Sequence, residues 1–143
     1  MRGVTLMFGA AVMCMQVCAA PASANQDAVA YRQHLMKTLE AQFQAITLIV
    51  TAGAPAENLY SHLTAALITA RGLPDAFRPR APGGSSAPQI WTRWDDFTFY
   101  MDEFEAAIAM AVEAARGGTP PQDVLYHIDA ISCRKCHDRY RRY

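Results

Sequence analysis

The chain has 143 residues, enough for one domain and little more. Its 13 basic side chains balance 13 acidic ones, so it lacks the broad basic surface of a nucleic-acid binder. Apolar residues make up 52% of it, which is enough to build a packed core.

The first segment does not read as part of that core. Arg2 gives a short positive start, and Val4 to Ala20 is almost unbroken apolar or small sequence. Ala22-Ser23-Ala24 then supplies an A-x-A site. Together these predict a secretory signal peptide over residues 1–24, cleaved after Ala24, and a mature exported chain over 25–143. The apolar run falls short of the roughly 20 residues of a transmembrane helix, so no stable span is expected after cleavage. Cys14 and Cys18 leave with the signal, and only Cys133 and Cys136 remain.

Four segments then carry helical periodicity. From about Asp27 to Thr51, Leu35, Leu39, Phe43, Ile46 and Val50 form one stripe, with Asn25 or Asp27 as the expected cap and Gly53 and Pro55 as the stop. From about Ala56 to Arg71 the stripe is Leu59, Leu63, Ala66, Leu67 and Ala70. Residues Leu73 to Pro88 hold four prolines and two adjacent glycines and are expected to be an irregular connection. From about Gln89 to Arg116, Ile90, Trp94, Phe97, Met101, Phe104, Ile108, Ala111 and Ala115 sustain a third stripe, with acidic residues opposite. Thr119-Pro120-Pro121-Gln122 opens a fourth helix that runs through Val124, Leu125, Ile128 and Ile131 into Cys133. No strand alternation competes with these patterns. The prediction is an all-α fold, an antiparallel four-helix bundle.

Cys133-Arg134-Lys135-Cys136-His137 is C-x-x-C-H, the attachment signature of c-type haem. On a helix, positions three and four apart share a face. Two thiols for the porphyrin vinyl groups and an imidazole for the iron thus point the same way. A thioredoxin-like pair would sit at a helix start in a βαβ setting. A disulfide between helical i, i+3 cysteines has awkward geometry. A zinc site needs four ligands, and no second cysteine pair remains. One covalently attached haem c, bound near the C-terminal helix with His137 on its iron, is the expected cofactor.

A C-x-x-C-H motif at the extreme C-terminus of a bundle, with YRQHLM at Tyr31 to Met36, Ile90-Trp91, Phe97 and SCRKCHDRYR at Ser132 to Arg141, resembles the class II cytochromes c, the cytochrome c′ family. That resemblance covers essentially the whole mature chain and implies a periplasmic haem protein, not an enzyme. It also places the residue opposite the haem histidine on the first helix, four residues after an arginine. Here those residues are Met36 and Arg32. Methionine ligation would make the protein a low-spin His/Met electron carrier. That is the leading expectation; the alternative is a five-coordinate protein that binds NO or CO, with Met36 only packing. By the same resemblance Arg32 approaches a haem propionate, Arg141 lies over the proximal side of the ring, and a homodimer is a common assembly. His34, two residues from Met36, points about 200° away around the helix. His62 and His127 are weaker ligand candidates still. The basic tail, Arg134, Lys135, Arg139, Arg141 and Arg142, fits either a solvated helix end or a docking patch for an acidic redox partner. Asp138 is placed to pair with Arg134 or Arg142.

Overall fold

A computed structural model describes residues 22–129 and 133–143. It is helical throughout its regular structure: α1 Ala22–Ala52, a 3₁₀ turn Ala56–Asn58, α2 Leu59–Arg71, α3 Leu73–Phe77, α4 Gln89–Thr92, α5 Trp94–Arg116, α6 Pro121–Asp129 and α7 Cys133–Tyr140. The expected signal segment lies outside the described residues up to position 21, and so does the join between α6 and α7.

The long helices close a ring. α1 packs on α2, α2 on α5, α5 on α6, and α6 back on α1. This is the expected four-helix bundle, and periodicity is its cause. The α2 stripe is buried as a set: Leu59, Leu63, Ala66, Leu67 and Ala70. It meets Leu39, Ile46 and Ile49 of α1 and Phe97, Met101, Ile108 and Ala111 of α5 in one core. The small residues among these let the backbones approach closely, while Val124 brings α6 into the middle with no exposed surface. Among the described residues no helix is long and apolar enough to cross a membrane.

Three expectations need correction. Asn25 and Asp27 do not cap α1, because the helix already runs through them from Ala22. Alanine is the best helix former, and nothing in Ala22-Ser23-Ala24 stops propagation. The connection after α2 is not wholly irregular either. Leu73–Phe77 makes a helical turn with Pro74 in its first turn, where a missing N–H costs nothing. Phe77 at its end is buried, and its carbonyl accepts the Trp91 indole N–H at 2.9 Å. Finally, the third helix breaks at Arg93, whose φ of −131° and ψ of 49° separate α4 from α5.

The loop between α3 and α4 does more than connect. Gly83 and Gly84 have φ of +146° and +57°, and a Cβ on either would come within 3.0 to 3.2 Å of Val29. Glycine therefore lets this loop lie flat on α1. Its far side is strapped to the chain end: Ala87 N–H donates to Tyr140 O at 2.9 Å, and Arg142 N–H to Ser85 O at 2.8 Å. The loop thus touches the first helix and the end of the last one.

Candidate functional site

One side of the ring does not close. Leu35, Met36 and Phe43 on α1 and Tyr100 and Phe104 on α5 pack against the core, yet all are only half-buried. Met36, Phe43, Tyr100 and Phe104 border a cleft of about 1940 Å³ whose further walls are α7 and the Gly83–Ser86 loop. That is well above the ordinary range of small-ligand pockets. Phe43 and Phe104 meet across it with ring centroids 6.1 Å apart.

Cys133, Cys136 and His137 all line this cleft. The two thiols are unbridged. Desolvation pushes both up from the usual thiol range, Cys136 to about 11, with Cys133 as a second cause. Disulfide oxidoreductases need the opposite, a depressed thiol. Neutral thiols held on one helix face match addition to vinyl groups instead. Burial, seconded by the Arg141 charge, holds His137 below the usual histidine range, against an opposing pull from Asp138. A neutral imidazole is the form that binds a metal.

Arg32 is the one buried charged residue among those described, at 3% exposure. Its Nε–H donates to Ala28 O at 3.2 Å, and one terminal nitrogen donates to Ala81 O. The guanidinium lies 5.2 Å from the Phe77 ring centroid and 5.4 Å from that of Trp91. Its other terminal nitrogen has no partner. Burial lowers its proton affinity, and among the described residues no carboxylate offsets that. A buried cation on the cleft wall with one free donor calls for an anion. Haem fits this donor set: apolar walls for the ring, two thiols and an imidazole on α7, and an unsatisfied guanidinium for a propionate.

Met36 also lines the cleft and packs against the hydrophobic core. Arg141 lines it too, but its side chain is exposed and lies 5.4 Å from the Tyr143 ring centroid. The other histidines stay out. His34 is exposed on α1, His62 bonds Gln42 at 2.8 Å, and His127 stacks edge-on with Tyr126 at 5.7 Å. Asp138 pairs with Arg134 at 3.6 Å, whereas Arg142 turns to Ser86 O at 2.9 Å. Trp91 and Trp94 border a separate shallow depression. Tyr100 and Tyr140 are among the lining residues that carried no sequence expectation of their own; the latter stands in the quoted motif without a role.

A family model described as Cytochrome C' matches residues 27–141. Cytochrome c' of Alcaligenes xylosoxydans xylosoxydans is 29% identical over 120 residues, covering 82% of this chain and 94% of that protein. Among solved structures, a nitric oxide complex of a leucine-to-valine variant of cytochrome c prime from Alcaligenes xylosoxidans superposes with a TM-score of 0.77 at 27% identity, over 83% of this chain and 97% of that one. A carbon monoxide-bound leucine-to-glycine variant gives the same values. A ferrous arginine-to-glutamine variant with bound NO gives 0.76 at 26% identity, over 82% of this chain and 97% of that one.

Proposed function

This chain belongs to the cytochrome c′ family and carries one covalently attached haem c, and we propose that it is an exported gas-binding protein whose haem takes NO or CO. In this reading Cys133 and Cys136 would hold the haem through thioethers, His137 would ligate its iron, and Arg32 would anchor a propionate. Haem iron with a single protein ligand supplies an open coordination position for a diatomic gas. The chain's own part would be to keep His137 neutral, to hold the ring by two thioethers, and to exclude water from the cleft with Met36, Phe43 and Phe104.

The observation that carries this reading over the His/Met electron carrier is the fold shared with cytochrome c prime structures that hold NO and CO. The position of Met36, packed against the core, supports a filling role for its thioether. The proposal places the protein in the periplasm, with residues 1–24 as the export signal. It also includes a homodimer, for which exposed Leu48 on α1 and Ile68 on α2 offer apolar surface. The exposed basic residues of α7 remain the docking patch for an acidic redox partner that would reset the iron.

The test is the spin state. The ferric protein at neutral pH is expected to be high-spin, the ferrous protein to take up CO readily, and Met36→Leu to leave the spin state unchanged. A low-spin ferric spectrum with a sulfur-to-iron charge-transfer band, abolished by Met36→Leu, would restore the electron carrier.

A further inference from the structure

Tyr140 is the last residue of α7, one turn beyond His137. It is also the only residue of that helix classed as buried, with 4% exposure. Its ring stands edge-on to Phe97 at 5.2 Å and lies 6.3 Å from Tyr100, both on α5. Its hydroxyl donates to the Asp96 carboxylate. That carboxylate lies in the first turn of α5, where the helix dipole favours it, and is 3.2 Å from Arg93. Its backbone carbonyl accepts the Ala87 N–H at 2.9 Å. One residue therefore ties α7 to α5 through its side chain and to the α3–α4 loop through its main chain.

Elsewhere on α7 Cys136 packs against the core. Arg134 and Asp138 pair within the helix at the surface, and Arg139 lies over the outer face of Tyr100 at 5.1 Å. Cys136 and His137 are half-buried and face the cleft. A helix of eight residues does not hold itself in water, so its placement comes from its contacts.

We propose that Tyr140, through its hydrogen bond to Asp96, is a positioning residue for His137. The inference rests on the reading of His137 as the axial ligand. A helix is stiff over a single turn, and residues three apart lie on neighbouring parts of one side. A swing or slide of α7 at Tyr140 is thus transmitted to the imidazole. The donor strength of an axial histidine depends on its distance and tilt, so the anchor sets a property of the iron as well as the stability of the fold.

The test uses haem-loaded protein with Tyr140→Phe, which keeps the ring, Asp96→Ala, which removes the acceptor, and Asp96→Asn, which keeps one. Retention of colour through acid-acetone extraction verifies loading in each. Three quantities are read: the iron–histidine stretching band of the ferrous protein, the midpoint potential, and resistance to urea. Tyr140→Phe and Asp96→Ala are expected to broaden the band, lower its frequency, and shift the potential in the same sense. The double variant should go no further than either single one, because both remove one interaction. Asp96→Asn should recover most of the native band. The unfolded population should rise about tenfold or more, as for loss of a hydrogen bond to a charged group. If the variants unfold more easily while band and potential match the parent, Tyr140 is only a staple of the fold and the proposal falls. If the parent shows a six-coordinate low-spin iron and no such band, the gas-binding reading fails, and the potential alone decides the role of Tyr140.

Discussion

Arg32 gives the sharpest energetic test of the site. It is buried at 3% exposure, yet the described residues give its guanidinium only two carbonyl oxygens, two aromatic faces and one empty direction. Left so, it is a costly group, because a buried cation without an anion pays desolvation that neutral carbonyls only partly offset. With a propionate in place it becomes half of a buried ion pair, and removing one partner of such a pair costs about 3–5 kcal/mol. Arg32→Met keeps the volume and loses the charge, so the haem-loaded variant should lose about that much in urea unfolding. Arg32→Lys should lose nearly as much. An ammonium cannot bond Ala81 O and an anion together while stacking flat against Phe77 and Trp91. A cost below about 1 kcal/mol for Arg32→Met would show that no anion is paired there. The propionate assignment would then fall.

Phe97, at 2% exposure, touches Phe77, Trp94 and Tyr140, so Phe97→Ala should cost about 3–5 kcal/mol in urea unfolding. Burial and Asp96 raise the Tyr140 phenol to about 12, above its unfolded value of about 10. Its contribution, of order 2 kcal/mol, is therefore intact below pH 10 and lost as pH rises from about 10 to about 12. The parent should lose stability over that window faster than Tyr140→Phe, and parallel curves would count against the raised phenol. Charge reversal at Lys135 and Arg139 should slow reduction by an acidic partner chiefly through association, with the difference fading at high salt. An unchanged rate at low salt would reduce the basic tail to a solvated helix end.

The four helices were legible because their stripes repeat over several turns and glycine or proline marks most of the breaks between them. The C-x-x-C-H motif was legible because its spacing encodes one helix face. What stayed hidden depends on neighbours. Pro74 reads as a breaker, yet it stands in the first turn of α3, where it is tolerated. The break at Arg93 has no glycine or proline to announce it, and it accompanies the Arg93–Asp96 contact and the Trp91 bond to Phe77. Tyr140 sits among Arg139, Arg141 and Arg142, where local pattern points to solvent. Only the α5 face formed by Phe97 and Tyr100, distant in sequence, buries it. Phe43 and Phe104 looked like ordinary core because a stripe does not reveal whether another helix or a cofactor will cover it.

That last ambiguity explains how the bundle makes room for its cofactor. Where α2 meets its neighbours the buried set includes Ala66, Ala70 and Ala111, and the helices pack on one another directly. Where α1 faces α5 across the open side, the residues are Met36, Phe43, Tyr100 and Phe104, all half-buried. Large side chains at facing positions hold two helices apart, just as small ones draw them together. The same periodic pattern therefore builds a protein-packed half and an open half, and residue size decides which is which. Apolar surface left half-covered in the open half is worth about 25 cal/mol per Å² once a flat apolar ring covers it. In the proposed site haem would thus complete the core as well as supply the chemistry. In the proposed reading the polar groups that remain, Arg32 at one edge and the Cys133–His137 turn at another, would fix how the ring sits within it.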